Sequence, residues 1–382
     1  MFRKMPVILL VLIGVIALTH SWIPLFWKEV LYGISLSIKS VIVFVLPFVI
    51  FGLLFKTAAQ LSTKASRNIL FIVGAICLSN FLSTMLSYGS GLLAYQLDLS
   101  MRLPPASEDL IPAFALNLPK WIGNGESMLL GLISGLAFGK FFPSVATSLS
   151  THLEKIIAVF FRFLLYVIPL FIAGFVLKMC YDGVMGQIVL NYGPIFGLIT
   201  VAVFSYIFLI YFLATRSKGS SFLGSVKNMM PAVIAGFGSM SSAAAMPLTI
   251  LAAEKNGKNK DLARALIPAT VNVHLIGDCF AIPIFAFAVL KSFGVQDPSF
   301  FSYVIFAGYF VLAKFSVAAV PGGGILVMLP VLESYLGFDA AMLSLITALY
   351  ILFDPVITAA NVLGNGGFAL ALDRILRKCS AA

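Results

Sequence analysis

Ala348-Leu349-Tyr350-Ile351-Leu352-Phe353-Asp354-Pro355-Val356-Ile357-Thr358-Ala359-Ala360-Asn361-Val362-Leu363-Gly364-Asn365 sets one carboxylate in an apolar run and follows it with three neutral polar side chains. Asp354, Thr358, Asn361 and Asn365 are spaced four, three and four apart, so at about 100° per residue they fall on one stripe of one helix. A charge at membrane depth costs at least ~2.5–3.5 kcal/mol and is normally turned toward a partner, a cavity or a cargo. The stretch therefore predicts a membrane helix that lines a solute pathway.

Composition agrees. Only 10% of the 382 residues are charged, 60% are hydrophobic and the mean hydropathy is +1.05, against roughly 25% charged residues in soluble domains. Apolar stretches of the ~20 residues needed to span a bilayer run approximately over 7–27, 34–55, 68–95, 128–142, 156–179 and 188–213. The expected class is an all-α polytopic membrane protein, with no extramembranous part long enough to fold alone.

The net charge of +10 does not point to nucleic acid, because the basic residues fall in alternate connections. They cluster at Arg3 and Lys4, at Lys56, Lys64 and Arg67, at Lys140 and Lys155, at Arg216, Lys218 and Lys227, at Lys255, Lys258, Lys260 and Arg264, and at Arg374, Arg377 and Lys378. The connection carrying Asp98, Arg102, Glu108 and Asp109 is of mixed sign. By the positive-inside rule both termini are cytoplasmic, as expected of a multi-pass protein of the plasma (inner) membrane. The apolar run after Met1–Lys4 is long enough to span and has no clean small-x-small cleavage site, so it reads as a retained first helix rather than a signal peptide. Cys77, Cys180, Cys279 and Cys379 are scattered without CxxC spacing and read as packing thiols, with no metal site or disulfide framework indicated.

Two further segments are broken. The apolar stretch from Lys227 to Glu254 has small residues at its centre, Gly236-Phe237-Gly238-Ser239-Met240-Ser241-Ser242-Ala243-Ala244-Ala245-Met246-Pro247, and basic residues at both ends. A simple span would put one basic cluster on the wrong side, whereas a re-entrant hairpin with its small residues at the tip resolves the conflict. Val320-Pro321-Gly322-Gly323-Gly324 interrupts a second such segment, because proline and three glycines cannot continue a helix cheaply. Each broken segment precedes a long helical stretch. Two opposed hairpin-plus-helix units imply an inverted repeat with a binding site where the broken elements meet. The competing reading of each tract is a loop or an ordinary helix-packing patch.

These residues resemble the dicarboxylate/amino acid:cation symporters, the family that includes glutamate and neutral amino-acid transporters. The resemblance covers most of the chain and is strongest from Pro231 to Ile375. It rests on the Ser241-Ser242 tip with Met246-Pro247, on Val320-Pro321-Gly322-Gly323-Gly324, on Asp354, Thr358, Asn361, Val362 and Gly364, and on Leu46-Pro47-Phe48-Val49. It implies a glutamate-transporter-like fold of about eight transmembrane helices plus two opposed re-entrant hairpins. It also implies a homotrimer held by a scaffold (about 1–66 and 125–182) and a moving transport core (about 67–124 and 187–377). Within that core lie hairpin one at 222–256, helix seven at 262–294, hairpin two at 299–335 and helix eight at 339–376. The implied substrate site is Asp354 for the amino group, Thr358 and Asn361 beside it, and backbone around Ser241, Ser242 and Gly323 for the carboxylate.

The departures are as informative. The family's acidic-substrate carriers place an arginine on the last helix, where bidentate pairing suits a side-chain carboxylate; here that position is Ile357, and Met240 stands where a basic alternative occurs. The expected cargo is a neutral amino acid, with C4-dicarboxylates or acidic amino acids as the alternative. The family's Asn-Met-Asp-Gly-Thr motif becomes His274-Leu275-Ile276-Gly277-Asp278, and a further acidic ligand becomes Asn365. Sodium prefers oxygen ligands, so imidazole and isoleucine are poor replacements. His274 and Asp278, four apart, would face one another on a helix and suit proton binding; the alternative is a buried histidine satisfied by hydrogen bonds. Lys314 is either a tethered cation pairing with Asp278 or a carbonyl, or a lysine that snorkels to the interface.

No cofactor is expected, and a proton is favoured over sodium as coupling ion, with passive exchange equally open. Ser79, Asn80, Ser83 and Thr84 either complete a site or bond their own helix backbone. Lys39 and Arg162 are expected to snorkel, and His20 and His152 carry no partner pattern. The partners implied are a small amino acid or dicarboxylate and the lipid bilayer, not nucleic acid. An intramembrane enzyme is disfavoured, since no nucleophile elbow or HExxH motif is present, and opposed hairpins suit alternating access better than a channel. Ile357→Arg is expected to shift preference toward acidic cargo in uptake competition between glutamate and a neutral amino acid, unless the new buried cation destabilises the fold. Unchanged preference in a folded variant would remove this position from specificity.

Overall fold

The computed structural model describes residues 5–64, 67–97, 110–119, 121–183, 192–216, 221–315, 317 and 322–381. Val320 and Pro321 of the second tract, the Asp98–Asp109 connection, Arg3, Lys4 and Lys218 lie outside them, as do the side chains of Leu46, Arg162 and Cys379. Among the described residues every regular element is helical. In chain order these are α1 (Met5–Thr19), one 3-10 turn (His20–Trp22), α2 (Leu25–Lys64), α3 (Arg67–Gln96), α4 (Asn124–Phe141), α5 (Pro143–Tyr181), α6 (Gly193–Thr215) and α7 (Phe222–Ser239). They continue as α8 (Ser242–Asn256), α9 (Lys260–Thr270), α10 (Ile276–Ser292), α11 (Phe300–Lys314), α12 (Gly323–Leu336) and α13 (Ala340–Ala381). The stretches Phe71–Gln96, Gly193–Thr215 and Ala341–Arg377 are helices long and apolar enough to cross a membrane.

Several boundaries differ from the sequence reading. The first apolar run, 7–27, ends early, because Pro24 lacks an N–H to continue α1 and α2 begins just beyond it. The segment read as one helix seven, 262–294, is two helices, α9 and α10, separated by irregular backbone at 271–275. Proline inside α2, α5 and α13 does not end these helices.

Packing sorts the helices into two groups. α2 lies against α4 and α5, and α1 against α5. Close approach of α4 to α2 rests on glycines spaced by four: a Cβ at Gly131 or Gly139 would stand 2.7 Å from the carbonyl oxygen of Phe51 or Ala59, and one at Gly135 would stand 2.5 Å from that of Phe55. Such small-residue stripes let membrane helices gain dispersion contacts that lipid cannot supply. In the second group α10 is the centre, with every residue from Ile276 to Leu290 buried. It packs against α3, α6 and α13, and α13 in turn touches α7, α8, α9 and α12.

Two pairs are helical hairpins. α7 and α8 pack together across Met240 and Ser241, and at their open end Asn228 Nδ2 donates to Asn256 Oδ1 at 2.8 Å. α11 packs on α12, with Tyr309 stacked on Tyr335 at 4.2 Å between ring centroids. Gly135→Leu should force α4 off α2, an overpacking cost of about 1–3 kcal/mol, visible as a lower midpoint of thermal unfolding in detergent. An unchanged midpoint would mean that the two helices do not depend on this contact.

Candidate functional site

The tips of both hairpins are left-handed. Met240 ends α7 at φ 48°, ψ 33°, and Gly322 caps α12 at φ 72°, ψ 0°. For methionine this conformation costs about 1–2 kcal/mol that glycine avoids. It turns the chain so that Ser241 caps α8, its hydroxyl accepting from the Ala244 N–H at 3.3 Å. The second tip meets α13 at Asp354, and the first lines the cleft beside it. Gly322 N–H donates to Asp354 Oδ2 at 3.1 Å and the Thr358 hydroxyl donates to Oδ1 at 3.1 Å.

Beside this carboxylate a small cleft, open to solvent, is lined by Met240, Ser241, Ser242, Asp278, Tyr350, Asp354, Thr358 and Asn361, with Val271, Asn272, Leu275, Val317 and Gly324 completing it. Five of the seven residues expected to bind substrate therefore line one cleft: Ser241, Ser242, Asp354, Thr358 and Asn361. Gly323 and Ile357 do not; both are buried beside it. Sequence reasoning missed Tyr350, Asn272 and the apolar wall of Val271, Leu275 and Val317. Tyr350 sits four residues before Asp354 on the same stripe, which is the signal that would have found it.

The irregular segment 271–275 supplies part of this lining, and the break it makes takes two backbone partners from afar. Asn80 Nδ2 donates to the Val273 carbonyl at 2.8 Å, and the Gly277 N–H donates to Asn361 Oδ1 at 2.7 Å. Non-helical backbone at membrane depth requires such partners. Asn361 thus holds the broken helix as well as lining the cleft. Ser83 and Thr84 donate to their own helix carbonyls, at Ser79 and Asn80.

The break also corrects the expected pairing of His274 with Asp278, which requires one continuous helix. His274 is fully buried, stacked on Phe368 at 4.1 Å between ring centroids, with Nδ1 2.9 Å from Asn365 Oδ1 and Nε2 2.9 Å from Ser79 Oγ. An amide oxygen accepts only, so Nδ1 carries the proton of that bond. Asp278 turns the other way. Tyr350 donates to its Oδ1 at 2.6 Å and Lys314 Nζ lies 3.3 Å from its Oδ2. Lys314 does not snorkel: it is fully buried, its ammonium 4.5 Å from the Phe310 ring centroid. Lys39 is half-buried on α2.

The chain also has matches in sequence. Residues 127–375 match the sodium:dicarboxylate symporter family. The chain belongs to that family. It is 29% identical over 236 residues to excitatory amino acid transporter 1 of Rattus norvegicus, a match covering 60% of this chain and 41% of that protein. Identity is 30% over 158 residues with an excitatory amino acid transporter of Caenorhabditis elegans, covering 41% of this chain and 30% of that one. It is also 30% over 158 residues with neutral amino acid transporter B(0) of Mus musculus, covering 41% and 28%. The chain thus spans less than half the length of these relatives. Family membership and the long apolar helices make it a multi-pass membrane protein.

Asn80→Ala should leave the half-buried Val273 carbonyl without its donor, at a cost of about 1–3 kcal/mol. Faster hydrogen exchange at 271–277 and a lower unfolding midpoint are expected. Unaltered exchange there would show that the break holds without Asn80.

Proposed function

We propose that this protein is a secondary transporter of amino acids, with neutral amino acids as the preferred cargo. The observation that carries the reading is the single cleft joining Asp354 to the Ser241–Ser242 tip. A cargo ammonium replaces or shares the Gly322 bond to Asp354, and the cargo carboxylate lies at the N-terminus of α8, where free N–H groups and the helix dipole favour an anion. Among the described lining residues the charged ones are Asp278 and Asp354, both acidic, and one wall is Met240, Val271, Leu275 and Val317. A second cargo carboxylate would meet no cation there, which favours a neutral side chain over a C4-dicarboxylate or acidic amino acid.

The mechanism we favour is an elevator. α1, α2, α4 and α5 act as a scaffold, with α3 and α6–α13 moving as a transport core, a division supported by how the helices pack. α7–α8 and α11–α12 are the two re-entrant hairpins of an inverted repeat, and the scaffold mediates a homotrimer in the plasma (inner) membrane with cytoplasmic termini. Coupling to protons, or exchange, is favoured over sodium. Ser79 is compatible with either charge state of His274, because a hydroxyl that donates to the neutral ring accepts from the charged one after a rotation.

Uptake of labelled amino acids and dicarboxylates into proteoliposomes, under separately imposed proton and sodium gradients, tests the reading. Neutral amino-acid uptake indifferent to sodium is expected, and sodium-driven uptake of acidic cargo alone would overturn it. Asp354→Asn keeps an acceptor for Gly322 but loses the charge, so cargo affinity should fall by about one to two orders of magnitude, corresponding to the ~1.5–3 kcal/mol of a charged hydrogen bond. Undiminished affinity would remove the amino group from this carboxylate.

A further inference from the structure

The cleft has two buried carboxylates on its wall, and they are treated differently. Asp354 is held by one backbone N–H and one hydroxyl, both neutral donors. Asp278 has a full positive charge behind it: Lys314 Nζ lies 3.3 Å from Oδ2, with the lysine fully buried and Asp278 1% exposed. The ammonium has no aligned hydrogen bond among the described residues, so the attachment is an ion pair rather than a directed bond. Tyr350 closes the other oxygen at 2.6 Å, and Gly324 comes so near that a Cβ there would stand 2.9 Å from Asp278 Oδ1. Both carboxylate oxygens are thus enclosed by groups of the chain itself.

A carboxylate in this position needs a counter-charge, because an ionised group without one is costly in a low-dielectric interior. Either a small cation from solution or a side chain can provide it. Asn272 Oδ1, buried and without a hydrogen-bond partner among the described residues, belongs to a residue that lines the same cleft and offers a further oxygen to a small cation. We propose that the Lys314 ammonium is a built-in counter-ion that takes the place of a soluble alkali cation at Asp278. Because the charge is tethered to α11, it is present at constant stoichiometry whether or not cargo is bound. The cleft is then left with one uncompensated charge, Asp354, which one cargo ammonium neutralises. This deepens the transport reading, but its test needs no cargo.

The experiment is thermal unfolding of the full chain in detergent, titrated with sodium or potassium chloride against choline chloride at constant ionic strength. The unsubstituted protein should unfold at the same temperature in all three salts. Lys314→Met leaves Asp278 unpaired and should convert the protein into one whose unfolding temperature rises saturably with sodium or potassium, since a ligand that binds only the folded state stabilises it. Lys314→Met combined with Asp278→Asn removes both charges and should lose that response. A folded Lys314→Met protein indifferent to the alkali cation would overturn the proposal, as would saturable sodium or potassium stabilisation of the unsubstituted protein. Should Lys314→Met alone not fold, the unsubstituted arm still decides, and the double variant should fold because its pair is removed whole. Failure of amino-acid uptake would sink the transport reading and leave these outcomes untouched.

Discussion

A carboxylate enclosed by apolar helices must find donors, and the organisation of this protein follows from how Asp354 finds them. Its oxygens are taken by Thr358 on the same helix and by the N–H of Gly322 at the second hairpin tip. The first turn of a helix offers N–H groups without an intrahelical partner, and α12 starts beside Asp354. That contact accords with the interruption between α11 and α12 and the left-handed Gly322, while Gly324 lacks a side chain because Tyr350 and Asp278 stand where a Cβ would go. The same logic governs the irregular backbone between α9 and α10, whose orphaned groups are met by Asn80 and Asn361.

Buried polar groups form two separate networks on either side of that irregular segment. On one side His274 joins Ser79 and Asn365; on the other Asp278 joins Lys314 and Tyr350. Four residues of continuous helix would have merged them. Their separation gives each titratable group its own surroundings: an aromatic slot with neutral partners for the imidazole, and a full ion pair for the carboxylate.

The stripe from Asp354 to Asn365 was legible because a 3.6-residue period in an apolar run has few other readings, the Ser241–Ser242 tip because basic residues flank both ends of its tract, and the Gly322–Gly324 tip because proline followed by three glycines does not continue a helix cheaply. The break at 271–275 was not legible. No glycine or proline stands between Val271 and Ile276, and the groups that make it tolerable lie 193 residues away at Asn80 and 84 residues from Gly277 at Asn361. Local propensity carries no information about such partners. The pairing of Lys314 with Asp278 was one of two open alternatives from sequence, since only burial separates a tethered lysine from a snorkelling one. Ile357 was chosen by analogy of position; the helix turns it away from the cleft that its neighbour Thr358 lines.

Met240 borders the cleft in a left-handed conformation that β-branched side chains adopt only at heavy cost. Valine, isoleucine and threonine are therefore disfavoured at this position whatever the cargo. The accessible neighbours are glycine, asparagine, aspartate and long unbranched side chains, so diversification of this wall proceeds through flexible or very small groups. A backbone dihedral, rather than the chemistry of the transported molecule, sets the alphabet from which selectivity here is drawn.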